Sequence, residues 1–192
     1  MLHYLKKIKE KLIVSREVGG FWPIGCHLIT CICILNFFFT APIPMQYWTV
    51  WFEPLTLIHS MFSHGSPAHL FGNMLFFLFA GPVCEKRLGF IRFMFLYLFS
   101  GIFGALGFGF FYPEARLIGA SGAISGIMAI FPFMQRRIFS MLLCGLVTFM
   151  WFFREFDYII DTQAGNVAHL AHIAGGVAGL VILAFYGRPR IS

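Results

Sequence analysis

The fold class of this chain is decided by residues 90–112, which read FIRFMFLYLFSGIFGALGFGFFY. After Arg92 this run continues to Tyr112 without another charged residue. About 20 predominantly apolar residues, coiled as a helix, have the length needed to cross the hydrocarbon core of a bilayer. We therefore predict a transmembrane helix over residues 90–112.

The composition extends this prediction to the whole chain. Of its 192 residues, 59% are hydrophobic and 11% are charged, whereas a soluble domain is about 45–50% apolar and about 25% charged. A chain of this length cannot bury so much apolar surface in water. A soluble globular enzyme, a disordered regulator and a secreted disulfide scaffold are thereby excluded. We predict an all-α polytopic membrane protein, in which six helices would use about 120 residues and leave no room for a second domain.

Six apolar segments divide the chain. They cover residues 22–41, 67–84, 90–112, 117–134, 138–153 and 167–186. We accordingly predict an amphipathic, Lys-rich segment at 1–20 that suits an anionic membrane surface, a six-helix membrane domain at 21–187 and a short tail at 188–192. The loop over 42–66 is rich in Trp, Tyr and Pro, so we expect it to lie partly inserted in the interface, irregular or as a short helix.

The basic residues predict the orientation of these helices. If six helices alternate in direction, 12 of the 14 basic residues share the side of the N-terminus, and only Arg116 and Arg154 fall on the other. Those 12 are Lys6, Lys7, Lys9, Lys11, Arg16, Lys86, Arg87, Arg92, Arg136, Arg137, Arg188 and Arg190. Because Lys and Arg accumulate in cytoplasmic loops, both termini are predicted to be cytoplasmic. The small size and the lack of a targeting presequence favour a bacterial inner membrane.

The same charge distribution argues against nucleic-acid binding. The net charge of +6 is spread between apolar runs instead of forming one patch. The five Cys residues are scattered, an odd number without paired spacing, so we predict no disulfide framework. His59, His64 and His69 recur every five residues, but no carboxylate or Cys accompanies them at a recognised metal spacing. We expect no metal and no cofactor, and the oligomeric state is left open.

Polar residues inside the apolar segments are the candidates for function, because they are costly in a membrane. His69 and Asn73 are four residues apart and share a helix face near the outer end of the second segment. Ser121 lies near the outer end of the fourth segment, and His172 near that of the sixth. The predicted topology therefore places these four residues at similar depth on three helices.

This set of residues suits nucleophilic acyl transfer. A serine hydroxyl needs a base to take its proton, and His is the usual base. The His69 and Asn73 side chains, with the backbone N–H of Ser121 at a helix start, can donate hydrogen bonds to a developing oxyanion. Small residues would let the helices approach closely. The glycines concerned are Gly119, Gly122, Gly126, Gly175, Gly176 and Gly179.

Each of these residues also has a purely structural interpretation. A serine in a membrane helix commonly bonds back to its own backbone, and a histidine can simply join two helices. His169, three residues before His172, is a competing base. A transporter with a histidine proton relay is a further alternative, although it would lack a carboxylate within the helices.

Four motifs together resemble the rhomboid intramembrane serine protease family, of the compact six-helix bacterial type. Residues 119–123, GASGA, resemble its G-x-S-G nucleophile motif, and residues 171–176, AHIAGG, resemble its A-H-x-x-G segment. Residues 69–73, HLFGN, resemble its H-x-x-x-N pattern, and residues 81–89, GPVCEKRLG, resemble its G-x-x-x-E-x-x-x-G turn. The resemblance covers residues 50–185.

The resemblance implies a Ser121–His172 dyad, with His69 and Asn73 stabilising the oxyanion. His172 is preferred to His169 because glycines follow it with the family's spacing. It also implies a cavity open to outside water, a lateral gate formed by the fifth segment, and single-span membrane proteins as substrates. An inactive rhomboid-like protein for binding or quality control is the alternative. Many bacterial members carry a Tyr four residues after the nucleophile, where this chain has Ser125.

Overall fold

The computed structural model describes residues 22–42, 45–46, 54–114, 116–160 and 169–187. The predicted amphipathic segment 1–20, the tail 188–192 and most of the aromatic part of the first loop lie outside the described residues. The structure therefore bears on the predicted membrane domain, and all statements below concern the described part of it.

The described residues form seven α-helices. They are α1 (Ile24–Phe39), α2 (Pro54–Ser60), α3 (Pro67–Leu88), α4 (Phe90–Phe111), α5 (Ser121–Ile130), α6 (Ile138–Ile160) and α7 (His169–Tyr186), with a 3₁₀ turn at Phe131–Met134 after α5. Helices α3, α4 and α7 have the length and apolar composition needed to span a membrane, and α1, α5 with its 3₁₀ turn, and the first part of α6 are shorter apolar helices. The prediction of an all-α polytopic membrane fold is confirmed.

The outer surface of the bundle is apolar. Phe39 and Ile91 are each 80% exposed, and Phe185 is 84% exposed. Many other large apolar side chains are also exposed, and soluble monomers rarely expose apolar patches of this size, so the surface suits a lipid environment. The fold is therefore that of an integral membrane protein.

Every predicted segment corresponds to a helix, but two helices extend further than predicted. Helix α3 continues past residue 84 to Leu88, and α6 continues past residue 153 to Ile160. In α3 the last turn contains Lys86 and Arg87, whose charges interact favourably with the carboxyl end of a helix. Gly89, with φ of +80°, then ends the helix. A segment predicted from hydropathy ends at the first charged residues, whereas the hydrogen-bonded helix continues through them.

Helix α5 lies at the centre of the bundle. All nine of its residues from Gly122 to Ile130 are buried. It packs against α4 and α7 through small residues, because a methyl group on Gly175 or Gly179 would collide with the backbone of Gly122 or Gly126. The predicted close approach of these glycine pairs is thus present in the structure, and it places the start of α5 beside the start of α7.

Helix α1 is attached to the bundle by a buried carboxylate. The two carboxylate oxygens of Glu85 accept hydrogen bonds from the backbone amides of Gly25 and Cys26, at 2.8 and 2.9 Å. These amides belong to the amino end of α1, where N–H groups lack partners within the helix. Glu85 therefore joins the carboxyl end of α3 to the beginning of α1, a charge-assisted contact of the stronger kind.

The first loop is held against the segment that precedes α5. Residues Met45–Gln46 pair antiparallel with Arg116–Leu117 as two-residue strands β1 and β2, with Met45 opposite Leu117. The loop also contains the seven-residue helix α2, and the Ser60 carbonyl at its end accepts a hydrogen bond from the Gly119 amide at 2.9 Å. The loop thereby supports the turn that leads into α5.

Candidate active site

Ser121 is the first residue of the central helix. It follows Gly119, whose φ of +118° is left-handed, and Ala120, which caps the helix with helical backbone angles. Ser121 is half-buried, whereas the rest of α5 is buried. Backbone N–H groups at a helix start have no partner within the helix. The hydroxyl and the amide of Ser121 therefore lie together at the start of α5, where the helix is accessible.

His69 and Asn73 lie against the turn that precedes Ser121. A methyl group on Gly119 would be 2.7 and 2.8 Å from Cε1 and Nε2 of the His69 ring and 3.5 Å from Nδ2 of Asn73. The Ser66 hydroxyl caps α3 by accepting a hydrogen bond from the His69 amide at 3.2 Å. The four-residue spacing thus directs both side chains to the same place.

Asn73 supplies a buried donor at this place. Its Nδ2 is buried and has no hydrogen-bond partner among the residues that the structure describes. Buried amide groups are normally hydrogen-bonded, so each exception requires an explanation. A donor held beside Gly119 fits the electrostatic need of an acyl-transfer site, which must stabilise negative charge only during the reaction.

His172 reaches the same end of the bundle from α7. Gly104, Gly122 and Ala171 meet there: a methyl group on Gly104 would lie 2.6 Å from the Ala171 carbonyl oxygen and 3.4 Å from Gly122 Cα. Residues 121 and 172 adjoin this contact on their respective helices. His172 is buried.

His169 lies beside His172 and is also buried. The centroids of the two rings are 6.2 Å apart, and the rings are perpendicular. Both histidines are therefore near the start of α7, and the preference for His172 as the base continues to rest on its spacing from the glycines.

His64, in the connection between α2 and α3, adds a fourth imidazole ring to this region. It is 1% exposed, and its centroid lies 5.2 Å from that of His69 in an edge-to-face arrangement. Burial, and after it the charge of His69, lowers the pKa of His64 from 6.5 to about 4, with a smaller opposing effect from the Phe62 backbone. His64 is therefore neutral at physiological pH and packs as an aromatic ring beside His69.

An aromatic residue of α6, Trp151, also contacts the site. Its ring centroid lies 6.0 Å from that of His172, with the planes inclined at 44°. Its indole Nε1–H donates a hydrogen bond to Ser125 Oγ at 3.3 Å. Trp151 belongs to the fifth segment, for which the resemblance implied only a lateral gate. The signal in the sequence is Ser125, which stands where many members of the resembled family have a Tyr, so that a different group has to orient His172.

The arrangement of these residues is suited to nucleophilic catalysis. The turn before Ser121, the side chains of His69 and Asn73, and the backbone next to His172 come together from α5, α3 and α7 at one end of the bundle. The described residues contain no group of three or more His, Cys, Asp or Glu side chains placed to hold a metal ion. The expectation that the chain uses no metal or cofactor stays a prediction.

Comparison with known proteins adds independent information. The model of the Rhomboid domain matches residues 45–189. The chain is 32% identical over 138 residues to RHOMBOID-like protein 4 of Arabidopsis thaliana, a match covering 68% of this chain and 33% of that relative. It is 28% identical over 148 residues to Rhomboid-like protease 3 of Toxoplasma gondii, covering 71% of this chain and 53% of the relative.

Another relative differs in its stated activity. The chain is 28% identical over 177 residues to Inactive rhomboid protein 1 of Danio rerio, a match covering 86% of this chain and 19% of that protein. The chain thus spans well under two thirds of the length of these relatives, which include one named as a protease and one named as inactive.

Proposed function

The chain belongs to the rhomboid family, and we propose that it is an intramembrane serine protease that uses Ser121 and His172. It would hydrolyse peptide bonds in or near the transmembrane segments of membrane proteins. The observation that carries the proposal is the convergence at Gly119 and Gly122. There the turn before Ser121 lies against His69 and Asn73, and the helix after it lies against the backbone of Ala171.

The proposed reaction begins at Ser121. His172 takes the proton of the Ser121 hydroxyl as Oγ attacks the carbonyl carbon of the scissile bond. The carbonyl electron pair moves to oxygen, and the resulting oxyanion accepts hydrogen bonds from His69, Asn73 and the Ser121 amide. His172 then gives its proton to the departing amine, which leaves an acyl ester on Ser121.

Water completes the cycle. His172 takes a proton from a water molecule that attacks the ester carbonyl, and it returns that proton to Ser121 Oγ as the acid product leaves. The half-buried position of Ser121 at the end of α5 is compatible with entry of water from that end of the bundle. A site deeper along α5 would be sealed, because the rest of that helix is buried.

The substrates proposed are single-span membrane proteins cleaved at a locally unwound, small-residue stretch. A peptide bond in a regular helix cannot reach a serine, because its carbonyl is shielded by the helix itself. The proposed location is a bacterial inner membrane with both termini cytoplasmic, which places the end bearing Ser121 and His172 on the outer side.

An inactive rhomboid-like protein that binds membrane proteins or serves quality control is the second candidate. It is favoured by the similarity to Inactive rhomboid protein 1. Its binding of membrane proteins would depend on the surface of the helices and not on the Ser121 hydroxyl. The two functions therefore differ in their response to removal of that single oxygen atom.

Cleavage of a single-span reporter protein in proteoliposomes tests the proposal. Ser121→Ala and His172→Ala should each abolish cleavage, because nucleophile and base act as one unit. His169→Ala is the matched control, since it removes the neighbouring buried ring and should leave measurable cleavage. Wild-type turnover by Ser121→Ala would refute the dyad. Complete loss in folded His169→Ala, with activity retained in His172→Ala, would reverse the choice of base.

A further inference from the structure

Trp151 of α6 contacts residues of three other helices, among them His172. Its ring centroid lies 6.0 Å from that of His172 of α7, with the planes inclined at 44°, and the ring of Phe76 from α3 meets it edge-on at 4.4 Å. Its indole N–H donates a hydrogen bond to the Ser125 hydroxyl of α5. An indole that is held by a hydrogen bond and by two neighbouring rings has little freedom to turn.

The acceptor of that hydrogen bond lies directly below the nucleophile. Ser125 follows Ser121 by four residues, so both lie on the same face of α5, one turn apart. Ser125 is fully buried. A buried hydroxyl that accepts an indole N–H therefore fixes the Trp151 ring relative to the same helix that presents Ser121.

Helix α6 is fastened to the core on either side of Trp151. The Thr148 hydroxyl donates a hydrogen bond to the Met128 carbonyl oxygen of α5 at 3.0 Å. The Phe152 ring packs against Gly176 of α7, where a methyl group would come within 2.6 Å of it. These contacts hold the turn of α6 that bears Trp151 in one register against α5 and α7.

We propose that Trp151, held by Ser125, is the positioning residue for His172. The inference rests on the proposed function, because it concerns how the proposed base is oriented. A histidine ring rotates about two side-chain bonds, and only some orientations direct a ring nitrogen toward Ser121. The inclined indole blocks part of that rotation, and the Ser125 hydrogen bond keeps the indole in place. In this arrangement α6 provides the aromatic ring of Trp151 beside His172, and α5 provides the Ser125 hydroxyl that holds the ring.

The effect belongs to the rate of reaction at Ser121, not to substrate affinity. Trp151→Leu removes the aromatic face and should slow both labelling of Ser121 by a fluorophosphonate and kcat by about three- to tenfold, the rate equivalent of one aromatic contact. KM should stay within about twofold, because uniform binding is not altered. Trp151→Phe keeps a ring but loses the N–H, so it should restore part of the rate.

The hydrogen bond has its own test. Ser125→Ala removes the acceptor and should slow labelling as much as Trp151→Phe does. The double variant Ser125→Ala/Trp151→Phe should be labelled no more slowly than either single variant, because both substitutions remove the same hydrogen bond. Phe139→Leu is the matched control: it is the same kind of change on the same helix, at a residue that is 75% exposed, and it should label at the wild-type rate.

The outcomes separate this inference from the proposed function. If the wild type is not labelled, or if Ser121→Ala is labelled as fast as the wild type, both the proposed function and this inference are overturned. If the wild type reacts at Ser121 and Trp151→Leu reacts as fast or faster, Trp151 is only bulk beside the site and this inference alone is overturned. Should Trp151→Leu fail to fold, Ser125→Ala and Trp151→Phe decide, and wild-type labelling rates in both would overturn it.

Discussion

Gly119 shows how much the site depends on one residue. Its φ of +118° is a conformation that residues with side chains rarely adopt, and the His69 ring occupies the space where a methyl group would lie. We expect Gly119→Ala to push His69 and Asn73 away from the turn and to reduce kcat by about 10²-fold or more, the usual cost of a lost oxyanion donor.

The control for this prediction is Gly65→Ala. Gly65 lies in the connection before α3, and a methyl group there would meet no atom within 4 Å. Its replacement should leave reporter cleavage unchanged. If Gly119→Ala cleaves the reporter as fast as Gly65→Ala does, the turn before Ser121 is not part of the site.

The lowered pKa of His64 predicts that the stability of the protein depends on pH. Its pKa is about 4 in the folded protein and 6.5 ordinarily, so the unfolded chain binds its proton first as pH falls. The stability associated with neutral His64 is complete above about pH 6.5 and is lost progressively down to about pH 4, by up to about 3 kcal/mol. His64→Phe keeps a buried ring without titrating and should lose less stability over this range.

Unfolding of the wild type and of His64→Phe in mixed micelles at pH 7 and pH 4.5 measures this difference. Only the extra loss in the wild type at pH 4.5 counts, because both proteins share every other titrating group. An equal loss in the two proteins would show that His64 is not held neutral by its burial.

Some of the site is predictable from spacing and some is not. The four-residue interval between His69 and Asn73 and the position of Ser121 at a helix start are local properties, and the structure shows both. The contact of Trp151 with Ser125 and His172 joins three helices far apart in the sequence. It depends on how α6 is rotated, and no local pattern determines that rotation.

At the scale of the elements, the contact between α5 and α7 is the most demanding. Gly179 lies opposite Gly126, and a methyl group on it would lie 2.7 Å from Gly126 Cα. Gly179→Ala should therefore separate the helices and cost about 1–3 kcal/mol, as overpacking does in tight interiors. Because Gly179 is almost two turns beyond His172, this variant tests packing apart from chemistry.

Gly145→Ala is the matched control within a helix. Gly145 lies in α6, where a methyl group would meet nothing within 4 Å, so the change should be neutral or slightly stabilising. The free energy of unfolding of both variants, measured by titration of mixed micelles with SDS, provides the comparison. Equal stability of the two variants would contradict the close α5–α7 contact.

The helix segments were predictable because each apolar run is bounded by charges, glycine or proline. The ends of the helices were harder to predict. The carboxylate of Glu85 is polar by sequence, yet it lies inside the last turn of α3 and caps α1. Hydropathy treats such a residue as a boundary, since it cannot register a partner that is 60 residues away.

For the whole molecule, the orientation in the membrane remains the prediction that locates the site. The exposed residues Arg116 and Arg137 lie before and after α5 with its 3₁₀ turn, so they should be on opposite sides of the bilayer. In intact bacterial cells, a membrane-impermeant maleimide should label Arg116→Cys above the wild-type background. Arg137→Cys should require permeabilised cells. The reverse pattern would place Ser121 at the cytoplasmic side.

At this scale the fold class followed from composition, because lipid is the only solvent that suits so apolar a chain. Activity does not follow in the same way, since relatives of this chain include a protein named as a protease and one named as inactive. The difference between those two possibilities lies in the reactivity of one hydroxyl group.

The most direct measurement is therefore mass-spectrometric mapping of a fluorophosphonate adduct on the purified, lipid-reconstituted protein. The expected adduct is on Ser121, lost in Ser121→Ala and strongly reduced in His172→Ala, because the hydroxyl is a weak nucleophile without its base. A folded wild-type protein without an adduct on Ser121, or with undiminished labelling in His172→Ala, would contradict the Ser121–His172 dyad.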